Sequence, residues 1–412
     1  MHIISKTEYI TLDAKLRVGV LSDSQISPFD RKGESTFAKN LLAAFGTLKA
    51  QGCNVILFAG DICNVGGKCA YRTFMRCLKK AYDDELPVFL GVMGNHDYYL
   101  RPFAKRLFRK ETGRSPFAHL VINGYHFIAA SPDCSSMSAG YRKTSVWLAK
   151  ELRSACADTP DRPVFVLTHN APENTVYGSD VWGDKSLNGV FDEYPNVVNF
   201  SGHTHYSLLD ERSFYRGKFM GLNTQSVSYT ELEKGRMNGS VPPLAYTAPM
   251  GYILDFGDDK IDVLRYNMLE NSEERANDRW SIPAIITGCV KSAAQSMAAP
   301  EMTGGQGVSR SDGENTEIAF AAARGKNFAH TYKLVFDDGT EQLYYGDFYL
   351  GEKHASDVQK LTLYGKAAGV YDVKVYAVDS AGRVSENCVE VPDTVVRKRT
   401  HYRRKLAPEI VY

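Results

Sequence analysis

Residues 87–97 read PVFLGVMGNHD, an apolar run that stops on a glycine followed by an amide, an imidazole and a carboxylate. A short continuous apolar run bounded by turn formers is the pattern of a strand buried on both faces. The same construction recurs as LRVGVLSDSQ at 16–25, VILFAGD at 55–61, VFVLTH at 164–169 and VVNFSGHTH at 197–205. Among them lie stretches with apolar residues at helical spacing, 36–50, 68–82 and 144–156. Strands alternating with amphipathic helices predict a largely parallel or mixed sheet covered by helices. In such sheets the loops at the carboxyl ends of the strands converge over a rigid base. Asp23, Gln25, Asp61, Asn95, His96, Asp97, His169, His203 and His205 are therefore expected to share one site. Carboxylate, imidazole and amide oxygen are the donors that Mn, Fe and Zn accept.

The order Asp-x-Gln, Gly-Asp, Gly-Asn-His-Asp, His, Gly-His-x-His resembles the calcineurin-like metallophosphoesterase family over about residues 16 to 270. The resemblance implies an α/β fold, a four-layer αββα sandwich, with two metal ions at the strand ends. It makes Asp61 the bridge between both ions. Asp23 and His205 complete the first site, while Asn95, His169 and His203 hold the second. His96 then faces the substrate, and Asp97 orients its ring through the other ring nitrogen. The implied reaction is hydrolysis of a phosphoester by a hydroxide bridging two ions about 3.5–4 Å apart. One position departs from the pattern: most of the family has His where this chain has Gln25. An amide oxygen is a poorer donor to such metals than an imidazole, so Gln25 ligates through its oxygen, through a water, or not at all.

Single elements of this kind are common in proteins that bind no metal; their co-occurrence in order, each closing a strand, is what argues for a site. His119 and His126, flanking a hairpin-like stretch, are read as structural, and His2, His330, His354 and His401 lack ligand spacing. The segment 170–195, NAPENTVYGSDVWGDKSLNGVFDEYP, is the long loop over the sheet and so the expected determinant of specificity. Tyr177 and Trp182 within it either stack on a planar leaving group or pin the loop. Tyr98 and Tyr99 are expected near the cleft, and Asn170 at the phosphate oxygens. A small-molecule phosphodiester or nucleotide-type phosphoester is favoured. The alternatives are a phosphomonoesterase or protein phosphatase, and a catalytically impaired scaffold of the same fold.

Beyond the site, 412 residues predict two domains. A net charge of +1 gives no reason to expect nucleic acid as a partner. The one basic stretch, VRKRTHYRRK at 396–405, reads as a solvated tail. The eight cysteines form no CxxC pair or framework, and no apolar run of about 18 residues marks a membrane span. The N-terminus lacks the pattern of a secretory signal, so a cytoplasmic location is expected. The pattern changes to antiparallel strands from 206 to 268, with a hairpin turn at 257–260. Composition places the boundaries at 1–282 for the phosphoesterase domain, 283–297 for a connector, 298–396 for a smaller all-β sandwich and 397–412 for the tail. The run VYAVDSAGRVSE at 375–386 resembles the end of a fibronectin type III domain.

Overall fold

The computed structural model describes residues 6–83, 85–289, 298–312, 315–325 and 328–397. Most of the expected connector and basic tail, with His2 and His401, lie outside them. The chain divides into two compact units, residues 1–230 with 246–293, and residues 231–245 with 294–412.

The first unit runs β1 (Glu8–Ile10), β2 (Arg17–Leu21), α1 (Thr36–Ala50), β3 (Val55–Phe58), α2 (Lys68–Tyr82), β4 (Val88–Gly91), α3 (Asn95–Tyr98), α4 (Ala104–Thr112), β5 (Phe117–Ile122) and β6 (Tyr125–Ala130). It continues with α5 (Thr144–Asp158), β7 (Val164–Leu167), α6 (Ser179–Trp182), α7 (Lys185–Phe191), β8 (Val197–Ser201), β9 (Phe214–Arg216) and β10 (Met220–Asn223). The closing strands are β11 (Met250–Phe256), β12 (Lys260–Asn267), β13 (Ser272–Glu274) and β14 (Trp280–Pro283).

Two mixed sheets result. One has the order β1-β5-β6-β7-β8-β10-β9, the other β13-β12-β11-β2-β3-β4, with β14 added beside β12. The β2, β3 and β4 strands are parallel neighbours, as are β6, β7 and β8. Every residue of β3, β7 and β8 is buried, as continuous apolar runs require.

Helix α1 begins at Ser35, whose side chain accepts a hydrogen bond from the Ala38 amide, a standard N-cap. Its buried face, Ala38, Leu41, Phe45 and Leu48, meets Phe74 and Leu78 of α2 and Phe108 of α4 in one core over the second sheet. Trp147, Leu148 and Leu152 of α5 and Leu187 of α7 cover the first. Between the sheets, the Phe165 and Phe256 rings meet at 5.6 Å and Phe200 and Tyr252 at 6.4 Å. The layers are helices, sheet, sheet, helices, the metallophosphoesterase sandwich.

The expected run of antiparallel strands from 206 to 268 is only partly present. The β11–β12 hairpin forms, but β10 pairs parallel to β8 and residues 224–249 contain no strand. Gly, Pro and short polar side chains dominate that stretch and resist strand formation. Among the described residues no helix is long and apolar enough to cross a membrane. All eight cysteines are free, and burial pushes the Cys53 thiol up to about 12.

The second unit is all-β, built from β15 (Val308–Ser311), β16 (Thr316–Ala321), β17 (Thr331–Phe336), β18 (Glu341–Tyr345), β19 (Val358–Thr362), β20 (Gly369–Val378) and β21 (Val389–Val396). Three strands pair as β15-β16-β19 and four as β18-β17-β20-β21. Tyr344, Tyr345, Phe348 and Tyr349 are all buried, so this aromatic group is interior and not a contact surface. The unit also takes in residues 231–245, which the boundaries drawn from composition assigned to the first domain. Met237 of that segment packs against the second unit's core.

Candidate metal centre

Each expected donor lies just beyond the carboxyl end of its strand: Asp23 and Gln25 after β2, Asp61 after β3, Asn95 after β4, His169 after β7, and His203 and His205 after β8. Five of these are held at positive φ: Asp23 at 54°, Gln25 at 48°, Asp61 at 49°, His203 at 70° and His205 at 57°. Left-handed backbone costs a non-glycine residue on the order of 1 kcal/mol or more, and such strain persists where the surroundings over-determine it. The motif glycines have a steric reason. A Cβ on Gly94 would run into the Asp61 carboxylate, and one on Gly202 into that of Asp23.

The donors converge. Ligand atoms of Asp23, Asp61 and His169 all lie within 4.8 Å of one another, and all three residues are buried. The hydrogen bonds fix the imidazole tautomers, because a backbone carbonyl can only accept. His169 donates from Nδ1 to Ala59 O at 2.8 Å, His96 from Nδ1 to Asn64 O at 2.7 Å, and His205 from Nδ1 to Tyr229 O at 3.1 Å. Each neutral ring then presents a bare Nε2 lone pair inward. For His169 that lone pair meets Asn95 Oδ1 at 3.0 Å and Asp61 Oδ2 at 3.4 Å. For His205 it meets Asp23 Oδ1 at 3.2 Å, an oxygen that is buried and accepts no hydrogen bond. His203 is turned the other way: Nε2 donates to Met137 O at 2.9 Å, which frees Nδ1. Lone pairs facing lone pairs at these distances are unfavourable unless a proton or a metal ion lies between them. The donor set therefore fits divalent metal.

The charge balance says the same. Burial alone would raise Asp61, yet the imidazoles of His169, His96 and His203 hold its carboxyl well below the usual range. Burial alone would depress His169, but Asp61 and then Asp23 lift it to about 9. Burial and the neighbouring His169 push His203 down to about 3. A cavity that draws a proton onto His169 this strongly attracts a divalent cation in its place.

Several expected contacts are placed differently. Asp97 does not orient His96. It accepts from the backbone amides of Gly94 at 2.9 Å and Cys63 at 3.0 Å and from the Tyr71 hydroxyl at 3.0 Å, bracing the two ligand loops from beneath. The physical reason is its position as the third residue of α3, where a carboxylate turns back onto the amide of the N-cap residue, Gly94. Burial and the nearby Asp61 push it up to about 6. Gln25 donates from Nε2 to Asp61 Oδ2 at 2.9 Å.

Both amide hydrogens of Asn170 are used, on Met137 O at 2.6 Å and Trp182 O at 3.2 Å, so it ties two loops together and has none left for a phosphate. Tyr177 is buried, with the Arg212 guanidinium 3.8 Å from its ring centre, and pins the loop. Tyr98 is committed through its hydroxyl to Pro132 O at 2.5 Å. Tyr99 takes the place beside the centre, its ring 4.6 Å from that of His96 and its hydroxyl accepting from Asn95 Nδ2 at 2.9 Å. Trp182 is brought to the site, edge-on to His203 with ring centres 5.9 Å apart.

Residues not foreseen are Met137, whose carbonyl takes the His203 and Asn170 hydrogens, and Tyr141, whose buried hydroxyl accepts from the His169 amide at 2.6 Å. Neither carries a motif. Met137 lies in a polar loop and Tyr141 just ahead of α5, with nothing in spacing to mark them.

Residues 16–207 match the family model described as calcineurin-like phosphoesterase. The match and the sandwich fold make this stretch similar to the calcineurin-like phosphoesterases. No curated protein matches the chain in sequence. Among solved structures, the chain is similar to purple acid phosphatase PPD1 from yellow lupin (Lupinus luteus) seeds, at 13% identity and a TM-score of 0.45, over 66% of this chain and 54% of that one. The chain thus spans about half the length of the lupin enzyme. A predicted phosphoesterase of Streptococcus pneumoniae aligns at 12% identity and a TM-score of 0.30, over 66% of this chain and 99% of that one. Vacuolar Protein Sorting 29 from Cryptosporidium parvum aligns at 16% and 0.32, again over 66% and 99%.

Proposed function

We propose that the first unit hydrolyses phosphodiesters or nucleotide-type phosphoesters with two divalent metal ions, Mn, Fe or Zn. Asp61 would hold both ions, Asp23 and His205 would complete one site, and Asn95, His169 and His203 would complete the other. The observation that carries this is the convergence of buried Asp23, Asp61 and His169 ligand atoms within 4.8 Å of one another, with Asp23 Oδ1 lacking any hydrogen bond. Metal held there would supply neutralisation of phosphoryl charge and a water acidified to act at neutral pH.

The remaining chemistry belongs to the chain's own groups. His96, half-buried and anchored through Nδ1 to Asn64 O, points Nε2 toward the centre, 4.0 Å from Asp61 Oδ2. When protonated there it offers a hydrogen to a phosphoryl oxygen or to the departing ester oxygen. Trp182 and Tyr99 lie beside the His203 and His96 rings.

The test is a metal-supplemented comparison of bis(p-nitrophenyl) phosphate with p-nitrophenyl phosphate. The diester should be cleaved with the higher kcat/KM. Preference for the monoester would overturn the substrate class, and no hydrolysis with Mn, Fe or Zn would overturn the enzyme reading altogether.

For the second unit, a fibronectin type III-like sandwich is proposed. Its support is the division into three- and four-stranded antiparallel sheets, with VYAVDSAGRVSE spanning the end of β20 and the turn after it.

A further inference from the structure

We propose that the rings of Phe37, Tyr229 and Tyr246 form a stacking platform beside the metal centre that holds a planar aromatic substituent of the substrate, with a nucleobase as the fitting chemistry. The inference rests on the phosphoesterase reading above and narrows it to esters carrying a flat ring.

The three residues come from separate segments: the first turn of α1, the loop after β10 and the stretch leading into β11. Their ring centres form a triangle, Phe37 to Tyr229 at 6.2 Å, Phe37 to Tyr246 at 6.0 Å and Tyr229 to Tyr246 at 5.7 Å. The corresponding interplanar angles are 25°, 15° and 38°. The first two pairs are stacked and the third is tilted, so the three rings make one aromatic cluster with a π-rich surface. All three are half-buried, so part of that surface is still open to be covered.

The platform is joined to the centre through one residue. The Tyr229 carbonyl accepts from His205 Nδ1 at 3.1 Å, and the two rings lie 4.4 Å apart. His205 Nε2 is in turn 3.2 Å from Asp23 Oδ1. A substituent on a phosphoryl group bound at the centre therefore reaches the platform across the width of one imidazole. Tyr246 is fixed by its backbone, its carbonyl accepting from the buried Asn40 Nδ2 at 3.1 Å, while its side chain makes no hydrogen bond among the described residues. The surface itself is neutral, which suits a base and not a second phosphate. Stacking of this kind tolerates any base, because every base has a π face.

Two p-nitrophenyl diesters with the same leaving group separate the effect: thymidine 5′-(p-nitrophenyl phosphate) and methyl p-nitrophenyl phosphate. In the full-length Mn-loaded protein the thymidine ester should show about a tenfold higher kcat/KM, the factor that about 1.4 kcal/mol of stacking supplies, and the gain should lie in KM. Phe37→Leu and Tyr246→Leu should each shrink that ratio severalfold. A ratio near one in the wild-type protein, or one untouched by both substitutions, overturns the platform. A binding measurement keeps the two proposals apart. Adenosine 5′-monophosphate added to metal-free protein should show broadened adenine proton resonances, lost in both variants. If neither diester is cleaved while the broadening and its loss are seen, the hydrolase reading falls and the platform stands. No broadening with the wild-type protein sinks the platform on its own.

Discussion

Gln25 decides how firmly the first metal is held. Its side chain is 4% exposed and donates from Nε2 to Asp61 Oδ2 at 2.9 Å. That hydrogen occupies a lone pair which a bridging carboxylate otherwise gives to a cation. Gln25→His would replace it with an imidazole nitrogen, a better donor to intermediate metals. The variant should retain two ions per chain after exhaustive dialysis where the wild-type chain retains one, corresponding to about tenfold or more in affinity. Elemental analysis reads this directly, and equal stoichiometry would refute it. His96 makes the contrasting case. Because its ring is held by the Asn64 carbonyl and stands 4.0 Å from Asp61 Oδ2, His96→Ala should keep the metals and lose about 10²–10⁴ in kcat. Loss of metal in that variant would show it to be a ligand. At this scale the side-chain donors were legible in the sequence because each follows an apolar run. The groups that aim them were not: Ala59, Asn64, Met137 and Tyr229 all act through carbonyls, which every residue possesses. Asp97 was legible as important and misread in role, since only the geometry of a four-residue helix shows its carboxylate turning away from the neighbouring ring.

Elements add what residues alone do not carry. The β5–β6 hairpin pairs Val121 with His126 and His119 with Ile128, which sets the two histidines diagonally on one face. Glu151 and Asp158, seven residues apart on α5, share one face after two turns and meet them. The result is a chain of hydrogen bonds: Glu151 Oε2 to His119 Nδ1 at 2.9 Å, His119 Nε2 to His126 Nδ1 at 2.8 Å, and His126 Nε2 to Asp158 Oδ2 at 3.1 Å. Three bonds need three protons, and two neutral imidazoles carry two. Burial and the adjacent His119 push His126 below its ordinary 6.5. The unfolded chain binds a proton at His126 more readily, so stability from the neutral ring is complete above pH 6.5 and is lost as pH falls through the lower folded-state value. His126→Gln should therefore flatten the fall of Tm as pH drops below 6.5, read by calorimetry. Parallel curves for the two proteins would discard the idea. From sequence, these histidines looked merely structural, because strand register and helix phase had to be combined to see them meet. Likewise β15 and β21 carry little strand signal, being short or interrupted by Pro392, while β7 and β17 are plain in their apolar and alternating patterns.

At the scale of the whole molecule, the chain passes between its two units more than once. It leaves the first after residue 230, returns at 246 and leaves again after 293. Residues 231–245 are integral to the second unit: the Met237 amide donates to Leu343 O at 2.8 Å, the Tyr345 amide donates to Asn238 Oδ1 at 2.9 Å, and the Tyr349 hydroxyl donates to Pro243 O at 2.7 Å. Composition could not show this, because a fifteen-residue segment rich in Gly and Pro reads as an ordinary surface loop. A cut at the apparent linker near 289 thus strips those residues of their partners and bares Met237, normally packed in the second core. The rings of Tyr229 and Tyr246 lie 5.7 Å apart, so the two ends of the excursion are close and a short Gly-Ser bridge suffices to join them. Two truncations ending at residue 289 follow, one retaining 231–245 and one with that segment replaced by the bridge. The first should aggregate or lose solubility. The second should fold, retain metal and cleave the bis-aryl diester at a rate within about threefold of the full chain, because every ligand and its supporting carbonyl lies in residues 1–230. Light scattering and metal content compare them. If the chain that keeps 231–245 proves as soluble and as stable as the bridged one, the segment is a passive loop and the two units are separable where composition first placed the cut.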